Sequence, residues 1–355
     1  MRWTGTGRDI CMEQITIKEI AKICGVGVST VSRAINNHPD INPDTKKKIM
    51  DTIAKYQYIP NNSARNLKRS ESNTIAVLTK GISNPLFGKM IQMLERDILG
   101  KQYIFVLQQV DEEENEIEVA IRIEKEKRLK GIIFLGGDSH PGEDLLQKLT
   151  VPFVYCTVNA ELSDALDNFG VVAINDEAES YRMVDYLCKM GHRRIVILTS
   201  IGRTSSIGKL RLNGYRRALE ENGIPYDESL VVSVEPGQNT YTMQSGYEET
   251  KALLERKLPF TAVFAISDTI AIGACKAIFD AGLSVPEDVS VAGFDGLELA
   301  SYYHPSLTTI KQPIKEMTME ASRILFELIN EKTGRKYREF NGRLLEGQSV
   351  KRIDE

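Results

Sequence analysis

The chain has 355 residues, 42% hydrophobic and 26% charged, a balance that excludes collagen-like and largely disordered proteins and leaves room for more than one core. No apolar run approaches the roughly 20 residues a membrane helix needs, and residues 1–14, MRWTGTGRDICMEQ, hold no apolar stretch suited to a secretory signal. The net charge of −4 hides a split: Met12–Ser70 has ten basic residues against five acidic, so a small basic head precedes an acidic body.

Residues 16–37, TIKEIAKICGVGVSTVSRAINN, predict two short helices. Thr16 with Glu19 three residues on has the spacing of a capping box. Ile17, Ile20, Ala21 and Val26 recur at helical intervals, and Gly25 supplies the backbone freedom of a tight turn. The second helix starts near Val28, buries Val31, Ala34 and Ile35, and turns Ser29, Thr30, Ser32, Arg33 and Asn36 outward. A third starts at Asn42-Pro43, with proline in its first turn, and runs through KKKIMDTIAKY. Two helices joined by a glycine turn and buttressed by a third describe a helix-turn-helix unit.

With YIPNNSARNLKRS (58–70) this stretch resembles the DNA-binding head of the LacI family of bacterial transcription regulators. The match rests on the turn glycine, the TVSR run and the Y-x-P-N-x-x-A-R-x-L segment. The resemblance implies that Val28 and Ser29 read bases at the start of a major-groove helix and that Arg33 reads further along it, guanine being the base a guanidinium grips with two bonds. Thr30, Ser32 and Lys46 are then placed for phosphates, which position without specifying, and Thr16 and Asn36 are counted among the DNA-binding residues. The family usually has serine where this chain has Gly27. Residues 60–72 resemble its hinge: Asn61 to Lys68 is expected to fold on operator DNA, with Asn61 and Ala64 in the helix and Leu67 wedged into the minor groove. Met12 stands where such heads begin, so residues 1–14 read as an arm or an upstream start.

From Asn73 the pattern becomes apolar runs alternating with helices: TIAVLT, YIFVLQQ, GIIFLGG, FVYCTV, RRIVILTS, TAVFAIS and VSVAGF. That rhythm predicts an α/β body of parallel sheets, and about ten strands call for two subdomains. The resemblance extends over nearly the whole chain and implies a periplasmic-binding-protein-like body in two lobes, 73–171 with 311–338 and 172–310 with 339–355, the head occupying 15–59. Ligands of open α/β sheets sit beyond the carboxyl ends of the strands. By resemblance, Asn84, Leu86 and Phe87 (SNPLF) line the first lobe's side, and Arg211, Asp268 and Asp295 the second lobe's. Carboxylates and a guanidinium are suited to sugar hydroxyls; helix capping is the other role open to Asp268 and Asp295.

Two departures bear on the ligand. Cys156 and Thr157 follow VPFVY where sugar-binding relatives place an Asp-Arg type of pair, and Ser267 replaces the usual asparagine. A sugar or sugar-like effector leads; a less polar metabolite, a phosphorylated sugar held by Arg211, a phosphoprotein co-regulator or no ligand are the alternatives. Five scattered cysteines without a C-x-x-C pair fit a reducing cytoplasm. No cofactor, metal site or catalytic residue is expected: six residues separate the glycines of GISNPLFGKM, against four in a phosphate loop, and the four histidines are isolated. The sequence therefore reads as a homodimeric regulator, most simply a repressor, of pseudo-palindromic operator DNA. An enzyme or a solute-binding protein with a DNA-binding head are the rival readings. Leu67→Ala is expected to weaken operator binding and reduce DNA bending, by gel shift and phasing assay, while the body's thermal unfolding stays unchanged.

Overall fold

The computed structural model describes residues 15–35, 38–56, 58, 73–81, 84–111, 114–200, 207–233, 240–332 and 334–354. The chain divides into two compact units, Met1–Ser70 and Glu71–Glu355.

In the first unit, α1 (Ile17–Cys24), α2 (Val28–Ile35) and α3 (Pro43–Lys55) pack round a core of Ile20, Ala21, Cys24, Val31, Ala34 and Ile49. The capping box closes as expected: the Thr16 amide donates to Glu19 Oε2 at 2.6 Å, and the Glu19 amide to Thr16 Oγ1 at 3.4 Å. Gly25 ends α1 at φ 69°, ψ 31°, left-handed backbone that glycine adopts at least cost, and this turns the chain into α2. Lys48 Nζ donates to the Cys24 carbonyl at 3.1 Å, so α3 covers the polar end of α1 as well as its apolar face. Asn42 caps α3 through Oδ1, which accepts from the amides of Asp44 and Thr45.

The second unit holds two six-stranded sheets. In the first lobe, β1 (Thr74–Lys80), β2 (Ile104–Val110), β3 (Leu129–Leu135), β4 (Phe153–Cys156), β5 (Phe169–Ile174) and β11 (Arg335–Phe340) lie in the order β11-β5-β4-β3-β1-β2, all parallel. In the second, β6 (Ile195–Thr199), β7 (Val231–Ser233), β8 (Ala262–Ala265), β9 (Ser290–Asp295), β10 (Thr308–Lys311) and β12 (Arg343–Leu345) lie in the order β12-β10-β9-β8-β6-β7, with β12 antiparallel. The helices are α4 (Pro85–Gly100), α5 (Glu116–Lys127), α6 (Glu143–Leu146), α7 (Asp176–Lys189), α8 (Ile207–Glu221), α9 (Met243–Glu255), α10 (Asp268–Asp280), α11 (Glu298–Tyr302) and α12 (Ile314–Glu331). Central strands such as β1 and β9 are buried almost throughout, as a parallel sheet covered on both faces requires.

The chain passes between sheets after Ile174, Lys311 and Phe340, where crossings were expected near 171, 310 and 338. Position 171 lies inside β5 and 338 inside β11, and these two strands pair with each other from Phe169–Arg335 to Ile174–Phe340. Lys311 still pairs with Asp295 and Arg343 in the second sheet. The ladder continues until its last residue has a partner. Apolar patterning underestimates that length in β11, RKYREF, an edge strand with only two aromatic residues.

Residues 349–353 are tied to the second lobe by His192 and its neighbours. Ser349 Oγ donates to the Val291 carbonyl, His192 Nε2 lies 3.2 Å from the Lys351 carbonyl, and its Nδ1 lies 2.9 Å from Thr261 Oγ1. Burial holds the His192 imidazole below its ordinary 6.5, so the folded state prefers it neutral. A depressed histidine leaves stability intact above pH 6.5 and removes it as pH falls below that value, where the unfolded chain takes up the proton more readily. His192→Gln is expected to flatten this part of a denaturant-midpoint profile measured from pH 7.5 to 5.

Candidate functional site

The cleft residues gather where β8 and β9 end and α7, α8 and α10 begin. Arg211, in the first turns of α8, is 4% exposed. Its Nε and Nη2 both donate to Asp176 Oδ1, at 2.9 and 2.7 Å, and its Nη1 donates to the Ile266 carbonyl. The guanidinium carbon lies 3.5 Å from the centre of the Phe294 ring, a cation–π stack. Sequence reasoning named Arg211 and missed both Asp176 and Phe294. Asp176 follows FGVVAI, whose glycine obscured a strand; an acidic residue just after an apolar run was the available signal.

Asp295 ends β9 at φ 112°, a conformation few residues other than glycine adopt, followed by Gly296 at φ 66°. A side chain on Gly296 would lie 2.5 Å from Lys311 Cα, so glycine is required there by space as well as by backbone. The carboxylate accepts from Gln312 Nε2 at 2.8 Å and from Asn84 Nδ2 at 3.2 Å. Burial raises Asp295 to about 6, against the opposing pull of Arg211, Asn84 and Gln312. Gln312, in the second crossing between the lobes, is another residue the sequence did not single out.

Asn84 belongs to the first lobe. It caps α4 with Oδ1, which accepts from the Leu86 amide at 2.9 Å, and uses its amide nitrogen to reach Asp295 across the cleft. Lys89 Nζ on α4 adds an exposed ion pair with Glu298 at 2.8 Å. Leu86 and Phe87 are buried in the core with β1, β3 and β4. The Phe87 ring approaches Gly136, where an added side chain would lie 3.3 Å from it. Cys156 is fully buried in the same core, its thiol pushed up to about 12 by burial, so it presents neither charge nor surface to the cleft.

Ser267 and Asp268 stand at the start of α10. Ser267 caps α10, its Oγ accepting from the Ile270 amide at 3.3 Å, so the capping role considered for Asp268 belongs to its neighbour. Asp268 is completely buried: Oδ2 accepts from the Leu297 amide at 2.7 Å and Oδ1 from Thr309 Oγ1 at 2.6 Å. Burial and the nearby Asp295 charge raise its pKa well above the usual carboxylate range. It holds the turn after Asp295. Among the described residues no three His, Cys, Asp or Glu side chains come together to hold a metal, and no helix is long and apolar enough to cross a membrane.

On the head, Val28 at the start of α2 is 42% exposed, and Ser29 and Arg33 are exposed beside it. Thr30, Ser32 and Lys46 are half-buried, and the side chain of Thr16 is engaged in its capping box. A side chain at Gly27 would meet Ser29 Oγ at 3.5 Å and Thr30 Oγ1 at 3.8 Å, ordinary contacts that would admit the family's serine. Asn36, Asn61, Ala64 and Leu67 lie outside the described residues.

Residues 16–61 match the bacterial regulatory proteins of the lacI family, and residues 184–350 match a periplasmic binding protein-like domain. The HTH-type transcriptional regulator MalR of Clostridium butyricum is 41% identical over 319 residues, covering 89% of this chain and 93% of that protein. The chain belongs to the LacI family. It is a DNA-binding transcription regulator, as its relatives are, and not an enzyme. Among solved structures, the lac repressor dimer bound to operator and the anti-inducer ONPF shares the fold, with a TM-score of 0.74 at 24% identity over 96% of this chain and all of that one. The CelR–cellobiose complex gives 0.66 at 27% identity, covering 94% and 99%.

Asp268→Ala removes the acceptor for two buried donors, each costing about 1–3 kcal/mol when left unpaired. It is expected to lower the thermal midpoint of this LacI-family body and to abolish any effector response. Asp268→Asn should recover part of both, since its carbonyl oxygen still accepts one of the two bonds.

Proposed function

We propose that this LacI-family regulator is a cytoplasmic homodimer that represses a carbohydrate or related catabolic operon and responds to a small-molecule effector held between its lobes. The hydrogen bond from Asn84 to Asp295 carries the reading. It joins a helix start in one lobe to a strand end in the other, at the carboxyl edge where open α/β sheets take ligands. A molecule entering there meets both lobes, and differential contact with the open and closed forms is what shifts such an equilibrium. Asp295 and Arg211 supply the polar contacts in this reading, with Asn84 on the facing lobe. The likeness to a dimer on operator and to a regulator holding cellobiose supports the same assignment.

For the head, we assign base reading to Val28, Ser29 and Arg33. An apolar Val28 left exposed at a helix start suits a thymine methyl group. Thr16, Thr30, Ser32, Asn36 and Lys46 take positioning roles, and Asn61, Ala64 and Leu67 act in the hinge. Two heads related by a two-fold axis read a pseudo-palindrome. Effector closure of the lobes then changes how readily the paired hinges fold on DNA.

Such coupling between sites is commonly worth about 1–3 kcal/mol and is reciprocal. Operator DNA recovered by binding selection is therefore expected to change effector affinity in calorimetry by the same factor as effector changes operator affinity in anisotropy. Equal effector affinity with and without operator would refute the linkage.

A further inference from the structure

The polar groups that end in the cleft are unequally satisfied. Arg211 directs two of its nitrogens to Asp176 and a third to the Ile266 carbonyl, and its face is covered by Phe294. Its charge is thus matched by a carboxylate in contact with it, and Asp295 adds a second carboxylate nearby. The atoms left over have the opposite character. Asp176 Oδ2 and Gln312 Oε1 are both buried with no hydrogen-bond partner among the described residues, although their side chains are only 2% and 4% exposed. Each is an acceptor, and a buried acceptor without a donor is costly enough to indicate a missing partner.

A ligand that completes this group has to bring hydrogen-bond donors. A carboxylate brings only acceptors at neutral pH, and a carboxylate or a phosphate alike would add negative charge beside Asp176 and Asp295 where water screens little. A hydroxyl donates without a charge and meets Asp176 Oδ2, Gln312 Oε1 or the Asp295 carboxylate on equal terms. We propose that Asp176 sets the charge class of the effector: by occupying Arg211 it makes the cleft a site for an uncharged, hydroxyl-donating molecule and closes it to phosphorylated or carboxylated ones. This rests on the reading of the cleft as the effector site, and it turns away from the phosphorylated sugar that Arg211 taken alone suggests.

The test uses the full-length protein and inorganic phosphate as the anion probe, titrated by calorimetry with ionic strength held constant by chloride. Wild type is expected to show no phosphate binding that depends on Arg211, which an Arg211→Gln control separates from binding at the basic head. Asp176→Asn frees the guanidinium from its charged partner and should bind phosphate at least ten-fold more tightly than wild type. The double variant Asp176→Asn/Arg211→Gln should lose that gain. Arg211-dependent phosphate binding in wild type would overturn the proposal. So would an Asp176→Asn protein with a native circular-dichroism spectrum and no gain.

A second arm needs only the wild type and covers the case in which Asp176→Asn does not fold. Thermal midpoints are compared for glucose with glucose 6-phosphate and for galactose with galacturonate. Stabilisation by a neutral member, lost in its charged partner, supports the rule; stabilisation by the charged member alone refutes it. If neither member of either pair stabilises the protein while Asp176→Asn gains phosphate binding, the charge rule stands and these sugars are not its effectors. A further blank across neutral sugars would then count against the effector reading itself.

Discussion

The cleft depends on a buried carboxyl group that touches no cation. Asp268 takes the Thr309 hydroxyl on one oxygen and the Leu297 amide on the other, binding the end of β9 to β10 through the intervening turn. That turn contains two successive residues with positive φ, Asp295 and Gly296, an unfavourable backbone for the first of them. The surrounding contacts hold it in place: the Gly296 amide donates to Thr309 Oγ1 at 3.3 Å, and the Gln312 amide donates to the Asp295 carbonyl at 3.2 Å. With the turn so fixed, the Asp295 side chain extends towards Asn84 and Gln312 instead of continuing the alternation of the strand. Burial and the neighbouring Asp295 charge both push the Asp268 carboxyl above the usual carboxylate range.

The electrostatic arrangement follows from that geometry. One guanidinium lies against Asp176 and near Asp295, both almost completely buried. Ion pairs in such surroundings recover little net stability, because desolvating both partners offsets most of their attraction. Retaining this cluster in the interior is more readily understood as recognition than as a stabilising device. The aromatic face of Phe294 and the carbonyl of Ile266 fix the guanidinium's plane, so its orientation is set before any ligand arrives.

Much of this was legible in the residues and some was not, for physical reasons. The head was readable because its signals are local: Thr16 and Glu19 are three residues apart, Gly25 needs a left-handed turn, and Asn42-Pro43 starts α3. The alternation of strands and helices was equally plain, and α12 falls over the 314–331 span that follows the second crossing. Edge strands were less visible, because β11 is half solvent-facing and its charged residues interrupt the apolar run. The cleft was only partly legible. Arg211, Asp295 and Asn84 come together, but whether a polar residue faces a ligand or supports its neighbour depends on contacts between segments distant in sequence. Asp268 reaches Thr309 across 41 positions and Arg211 reaches Asp176 across 35, and no local pattern announces either pair.

Asn84 divides its amide between two tasks, and this has a mechanical consequence. The oxygen remains with α4 as the helix cap, whereas the nitrogen alone spans to the other lobe. Separation of the lobes at this point therefore breaks one bond of about 1 kcal/mol and leaves the helix end sealed. The nearby Lys89–Glu298 pair is exposed to solvent, which screens it. Opening at Asn84 therefore leaves the start of α4 capped. A joint of this kind is cheap to open yet returns to the same register when it closes, so thermal motion alone lets the cleft admit its occupant without unravelling the helix that borders it.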